Sequence, residues 1–423
     1  MADIPFPRGV RDLLPNEALF RNELIERIES VFRLFGYASI DTPSFESLQV
    51  LRAKNAIGSD VKLIYELKDE QLGLRYDNTV SLARYMAMHQ ELPMPFKRYY
   101  TGKIWRREEP QRLRYREVTQ ADADIVGGDK PKADADVIAV AATILDNIGL
   151  DYKICINDRG IMDKVLAKFG VAENLFMDVM RTIDKIDRSS EAEVSKALMD
   201  LNLESSVVDQ IMAFTAVGGT NDEKLSYIDN LLGDGNATKY IRETLDLLGC
   251  YSIRGEIRID FCIVRGLDYY TGIVFECKSK GETSASIGGG GRYDDLIGVF
   301  SSKKLPAVGV SLGIDRILEI LDFSSSIEYT YANVFVANVN DGNYRYALKV
   351  ANSLRANGIP TEMNMALRNL SNQFSYASAI RTKYAIIIGD EEERLGKLKL
   401  RNLVTGKEEI VYTDEAMKII KGK

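Results

Sequence analysis

Eight basic residues fall between positions 97 and 116: Lys97, Arg98, Lys103, Arg106, Arg107, Arg112, Arg114 and Arg116, opposed only by Glu108 and Glu109. That segment is about +6 in a chain of 423 residues whose formal net charge is −7. Global attraction to nucleic acid is therefore excluded, and any polyanion site must be local. Arginine suits phosphate because its planar fork makes two parallel charge-assisted hydrogen bonds and stays protonated. Arg106 and Arg114 read as lying on facing strands, where both could point into one site. The plain alternative for this segment is a solvated charged hairpin.

Three further segments could carry chemistry. Arg265-Gly266-Leu267-Asp268-Tyr269-Tyr270-Thr271 places a charge and two tyrosines at the end of a strand, a setting for a small polar ligand or simply a turn. Gly288-Gly289-Gly290-Gly291-Arg292-Tyr293-Asp294 allows a close backbone approach or a sharp bend. It is no Walker loop, since no Gly-Lys-Ser/Thr follows, and Tyr293 breaks a G-x-G-x-x-G reading. Pro306 to Arg316 reads as a strand passing into a helix, with Arg316 in the first turns. Either a ligand or ordinary helix–sheet packing would account for its glycines.

What is scarce narrows the chemistry. His89 is the sole histidine, inside a helical stretch, and reads as structural. A His-based triad, relay or metal site has nothing else to build on. Cys155, Cys250, Cys262 and Cys277 are far apart with no Cys-x-x-Cys, against a zinc ribbon, redox motif or disulfide framework. The start, MADIPFPRGV, lacks a basic region followed by an apolar core, so no signal peptide is expected. No apolar run approaches the roughly 20 residues that cross a bilayer. A cytoplasmic protein without membrane association is the expectation.

Apolar periodicity supplies the elements that would hold these residues. Helices are expected over Asn16–Phe35, Thr79–Gln90 and Ala133–Ile148. Strands are expected at Tyr37–Pro43, Phe96–Arg106 and Arg114–Gln120, with a hairpin of Ile64–Leu67 and Leu72–Tyr76. Residues 158–248 turn helical with short polar breaks. Strand alternation then returns over Ile253–Ile263, so the helical block looks inserted into a largely antiparallel sheet domain. Leu321–Tyr331, with Ser324–Ser326, reads as a linker. Beyond it, strands at Val334–Val339 and Tyr384–Ile388 alternate with helices at Tyr344–Asn357 and Asn372–Arg381. A hairpin of Leu398–Leu403 and Lys407–Tyr412 closes an α/β domain.

Taken in this order, the segments resemble the histidyl-tRNA synthetases, of class II. Phe6 to Asp12 resembles their N-terminal signature, and the first helix with the strand ending at Pro43 resembles motif 1. Arg106 to Gln120 is similar to motif 2, Arg265 to Thr271 and Gly290 to Asp294 to the two histidine-specific signatures, and Pro306 to Arg316 to motif 3. The resemblance implies an α+β catalytic domain on a mostly antiparallel sheet (1–157 and 249–323). It adds a helical insertion (158–248) and a C-terminal α/β anticodon-binding domain (330–423).

The implied reaction has two steps. The histidine carboxylate attacks the α-phosphorus of ATP, and the terminal ribose of histidine tRNA then takes the acyl group. By resemblance, Arg106, Arg265 and Arg316 are catalytic, gripping phosphate oxygens, and Glu108 and Arg114 join them in binding ATP. Asp77 and Thr79 would hold the α-amino group of L-histidine, Gln120 its backbone end, and Asp124 its imidazole, with Tyr269 and Tyr270 completing the pocket. Mg²⁺ would bridge phosphate oxygens, with no dedicated metal-ligating residues, and a homodimer is implied by motif 1. The family pattern often has Glu where Asp77 and Asp124 stand, and glycine at Leu113. The rival reading, a non-catalytic regulatory subunit of ATP phosphoribosyltransferase, would lack the last domain and tends to lose the motif arginines.

Overall fold

The computed structural model describes residues 4–53, 58–68, 70–111, 114–186, 189–264, 269–281, 286–321, 330–366 and 369–422. Arg265 to Asp268, Arg112, Leu113 and residues 322–329 of the expected linker lie outside them. The chain forms two compact units, residues 1–11 with 24–321 and residues 12–23 with 322–423.

The first helix, α1 (Pro15–Leu34), buries Leu24, Ile28, Val31 and Phe32 at helical spacing. It ends ahead of Gly36, whose φ of 76° is the left-handed conformation that stops helices. Next come β1 (Ala38–Ser39), β2 (Phe45–Ser47), α2 (Leu48–Leu51), β3 (Leu72–Leu74), α3 (Thr79–Met88), β4 (Phe96–Trp105), β5 (Glu117–Val126), α4 (Lys132–Asn147) and β6 (Tyr152–Asp158). The helical stretch that follows contains α5 (Arg159–Lys168), α6 (Phe176–Ile183), α7 (Glu191–Met199), α8 (Ser205–Thr215), α9 (Asn221–Leu232) and α10 (Lys239–Leu248). Strands return as β7 (Glu256–Ile259), β8 (Ile273–Ser279), β9 (Ser286–Arg292) and β10 (Ala307–Gly313), and α11 (Ile314–Ile320) follows.

Eight of these strands form one sheet in the order β1-β4-β5-β10-β9-β8-β6-β7. Only the edge pairs β1/β4 and β6/β7 are parallel, so the expected mostly antiparallel sheet is what forms. The apolar run Val137 to Leu145 lies in α4, which packs on β10 and α10 and buries nearly all of that run. Among the described residues, no helix is long and apolar enough to cross a membrane.

Several expected strands are shorter than their alternation suggests. Tyr37–Pro43 contributes only β1. The hairpin of Ile64–Leu67 and Leu72–Tyr76 is reduced to a bridge at Glu66 and Gly73, and β3 takes β2 as its strand partner. Of Ile253–Ile263 only β7 pairs. The carbonyls of Phe261 and Ile263 accept from the Asn157 side chain, at 3.4 and 3.0 Å, where a neighbouring strand would otherwise bond. The second strand of the basic hairpin begins at Glu117, so Arg114 lies in the loop, bridged to Gln111. Arg106 and Arg114 therefore do not face each other across a ladder.

The second unit contains β11 (Val334–Asn338), α12 (Tyr344–Ala356), β12 (Thr361–Met363), α13 (Leu370–Ala379), β13 (Tyr384–Ile388), α14 (Asp390–Leu395), β14 (Leu398–Asn402), β15 (Glu408–Val411) and α15 (Thr413–Ile420). Its sheet order is β12-β11-β13-β14-β15, parallel through β13 and antiparallel beyond. Val334 and Val336 pack with α12 and α15 residues, while Phe335 and Ala337 pack with α13 residues. A strand buried on both faces needs helices on both, which is the α/β arrangement.

Candidate active site

Period two along β5 places Gln120, Asp122 and Asp124 on one face of the sheet. Across the ladder on β10 stand Gly313, Ser311 and Gly309, and beyond them on β9 Gly289 and Gly291. The middle of the sheet thus carries carboxylates on one strand and almost no side chains on the next two. A cavity of about 360 Å³ opens above it. The glycine run of 288–291 is neither a loop nor a bend but a central strand, and its lack of side chains floors the cavity. A Cβ on Gly290 would overlap the Gly309 carbonyl oxygen. A Cβ on Gly309 would overlap Asp124 Oδ1 and stand 2.6 Å from its Cγ.

The floor is a network of buried acceptors. Asp124 Oδ1 accepts from the Tyr293 hydroxyl, and Asp124 Oδ2 lies 2.5 Å from a terminal nitrogen of Arg98. Asp122 Oδ2 accepts from Asn78 Nδ2 at 2.7 Å. Asp77 precedes α3, and its Oδ1 accepts from the Val80 amide at 2.9 Å, closing the helix start. Its other oxygen is buried without a hydrogen-bond partner, as is Gln120 Oε1. Burial pushes the Asp77 carboxyl up to about 6, opposed by the Val80 amide and the Arg106 charge. Asp124 is also pushed up to about 6 by burial, opposed first by Arg98. Burial raises Asp122 as well, again against Arg98. Tyr269 and Tyr293 stand edge to face, 5.6 Å apart, and burial raises both phenols well above the ordinary range. Tyr269 meets Tyr270 edge to face at 5.0 Å, and the Thr79 side chain opposes the rise of its phenol.

The cavity wall carries the cations. Arg106 follows β4; its Nε donates to the Tyr76 carbonyl at 3.3 Å and its guanidinium lies 4.5 Å from the Tyr76 ring centre. Arg114 pairs with Glu108, and Arg316 donates to the Ser286 carbonyl at 3.0 Å. The N-terminal segment braces this wall. Gly9, in the left-handed conformation, accepts from the Arg116 amide at 2.7 Å. Arg11 lies 3.3 Å from Asp315, whose other oxygen takes the Thr119 amide at 2.6 Å. Asp184, at the end of α6, also reaches the cavity.

Of the residues singled out in the sequence, Asp77, Thr79, Arg106, Glu108, Arg114, Gln120, Asp124, Tyr269, Tyr270 and Arg316 all line this one cavity. Arg265 lies outside the described residues. His89 caps the far end of α3, its ring tilted against Tyr85, away from the lining. Sequence reasoning missed Tyr293, Asp122 and Arg98. Tyr293 carries a signal in hindsight: a hydroxyl placed where a side-chain-free strand ends. Arg98 was counted with a basic patch but is 1% exposed.

Residues 9–317 match the sequence profile described as histidyl-tRNA synthetase. The chain belongs to that family. Residues 333–423 match the profile of the anticodon binding domain, consistent with the family's second module. Histidine–tRNA ligase of Korarchaeum cryptofilum is 37% identical over 404 residues, 92% of each chain. That of Aeropyrum pernix is 35% identical over 423 residues, 98% of this chain and 97% of its own. The crystal structure of histidyl-tRNA synthetase from Nostoc sp. PCC 7120 matches with a TM-score of 0.85 at 28% identity, over the whole of both chains.

Proposed function

We propose that this chain is a histidine–tRNA ligase that activates L-histidine with ATP and transfers it to the terminal ribose of histidine tRNA. The observation that carries the reading is one cavity lined by guanidinium groups that suit phosphate and floored by buried acceptors that lack donors. Asp77 Oδ2 and Gln120 Oε1 await two donors, which an α-ammonium group supplies. A site built to hydrogen-bond its ligand rejects analogues that leave such groups unpaired.

The first step needs positioning more than covalent chemistry: a carboxylate must meet an α-phosphorus while cations neutralise the charge that builds on the phosphoryl oxygens. Arg106 holds the α-phosphate, Arg316 the γ-phosphate, and Glu108 and Arg114 complete the nucleotide site. Arg265, by family resemblance, approaches the α-phosphate opposite Arg106. Asp77, Thr79 and Gln120 take the amino-acid backbone, and Asp124, Tyr269 and Tyr270 the side chain. Tyr293 joins them through its bond to Asp124.

Mg²⁺ fits this setting as a partner of the phosphates. Glu108 and Glu276 lie on the wall, and no group of three or more His, Cys, Asp or Glu among the described residues could hold a metal alone. Mg²⁺ commonly binds one or two carboxylates together with substrate phosphates. Bound there, it would supply further charge neutralisation on ATP.

The working domain plan is catalytic (1–157 and 249–323), insertion (158–248) and anticodon-binding (330–423), acting as a cytoplasmic homodimer. Leu34 and Phe45, 81% and 53% exposed around the segment like motif 1, are apolar side chains for a second copy to cover. The test is histidine-dependent exchange of pyrophosphate into ATP by the purified protein. Exchange with histidine alone among the amino acids is expected. Exchange with another amino acid, or histidine binding without any exchange as in a regulatory subunit, would overturn the proposal.

A further inference from the structure

Arg98 is an arginine buried beside Asp124, on the same face of the sheet, and it does not line the cavity itself. It stands on β4 directly opposite Asp124 on β5, and Gly309 stands opposite Asp124 on the other side, on β10. The carboxylate therefore sits in a slot. The Arg98 guanidinium fills one flank, the bare backbone of Gly309 forms the other, and the Tyr293 hydroxyl bonds Oδ1.

The other groups whose charge bears on Asp124 are unfavourable or neutral. Asp122 shares its strand face, Asp77 lies at the start of α3, and the phenols of Tyr293 and Tyr37 stand near it. Arg106 acts on Asp77 and Asp122, and for Asp124 the first opposing charge is Arg98. Burying a guanidinium is costly unless it is paired. A packed aliphatic side chain would fill the same place beside Asp124. What an aliphatic residue would not do is keep a third buried carboxylate charged beside two others.

We propose that Arg98 is a positioning residue for histidine recognition, holding Asp124 as a charged, fixed acceptor for the substrate's imidazole. The proposal rests on the histidine ligase reading of this cavity. Arg98 acts through Asp124 and makes no contact with substrate. Asp124 Oδ1 spends one lone pair on the Tyr293 hydroxyl while Oδ2 faces the Arg98 charge, so both oxygens keep acceptor capacity for a ligand. Because burial already lifts this carboxyl to about 6, removal of the cation leaves it protonated near neutrality.

The test compares full-length wild type, Arg98→Met and Arg98→Lys in histidine-dependent pyrophosphate exchange across neutral and alkaline pH. Removing an opposite charge at this range raises a carboxyl by ~1–3 units, so the acid limb of kcat/KM for histidine moves up by that amount in Arg98→Met. Near pH 7 the KM for histidine then rises about tenfold and recovers as pH is raised, since each pH unit is tenfold in protonation. The KM for ATP stays at its wild-type value, and Arg98→Lys restores much of the profile. Free histidine titrates identically in every sample, so the comparison between variants isolates the protein group. A pH profile of Arg98→Met parallel to wild type, or an equal loss for histidine and ATP, would overturn the assignment. If Arg98→Met fails to fold by circular dichroism, Asp124→Asn serves instead. Its histidine affinity should be weak and its acid limb lost, and a normal KM for histidine would refute the role equally. A wild type without histidine-dependent exchange would instead sink the ligase reading itself.

Discussion

Gly309→Ala puts one methyl group where the structure has room for none. Gly309 is absent from the residues with positive φ, so alanine meets no backbone penalty, and the effect must be steric. The new Cβ would stand 2.6 Å from Asp124 Cγ and 3.2 Å from the Ala123 carbonyl oxygen. Carbon atoms rest about 3.5–4.0 Å apart, so the carboxylate must retreat by roughly 1 Å. The central strands cannot yield easily, because β10 is paired along both edges. The retreat disturbs the Tyr293 bond and the Arg98 ion pair and, on the proposed reading, moves the acceptor away from the substrate's imidazole. A hydrogen bond to a charged group contributes about 1.5–3 kcal/mol. At about 1.4 kcal/mol per factor of ten, the KM for histidine should rise about 10- to 100-fold. Overpacking should lower stability by about 1–3 kcal/mol as well. Pyrophosphate exchange at varied histidine, run beside a denaturant titration, measures both. A stable Gly309→Ala enzyme with an unchanged KM for histidine would refute the placement of Asp124 in the pocket.

Two further outcomes follow from the same site. Asp77 has its folded pKa raised from 3.8 to about 6, so its ionised form is the penalised one. The penalty is absent at low pH, grows as pH rises between those values, and reaches on the order of 2–3 kcal/mol above them. Asp77→Asn keeps an oxygen for the Val80 amide, so it should melt higher than wild type at pH 8 while binding histidine poorly. The thermal advantage should vanish toward pH 4, and a pH-independent difference would contradict the burial argument. Arg106→Ala should lower kcat for adenylate formation about 10²–10³-fold with little change in melting temperature. A loss smaller than tenfold would exclude Arg106 from the phosphate site.

Much of this site is legible in the sequence because its residues cluster in a few short segments. Arg106, Glu108, Arg114 and Gln120 lie within one stretch, but the expected strand stops at Gln120, whereas β5 runs on to Val126 and so carries Asp124 on the same face. The register between strands is not legible. Nothing local says that Arg98 faces Asp124, or that Gly309 and Gly291 flank it, since those pairings are set by the sheet. Arg98 in the sequence is one more positive charge in a basic hairpin. The glycine run is equally ambiguous, because residues without side chains carry no periodicity to distinguish strand from loop. Alternation overstated the strand at 253–263. Phe261 is apolar because it stacks on Phe214 at 4.5 Å, not because it sits in a ladder. The short β2, which gives β3 its partner, is three residues long and leaves no pattern to read.

The placement of His89 has a practical consequence. It is the sole imidazole of the chain and sits at the end of α3, outside the cavity. Nitrogen-detected magnetic resonance of the protein will therefore contain one endogenous imidazole signal. Further lines on adding labelled histidine come from the added amino acid and not from the protein, and those absent from a histidine-only sample belong to its bound form. Its tautomer, and the pH at which it gains a proton in the pocket, become directly observable without any substitution in the enzyme.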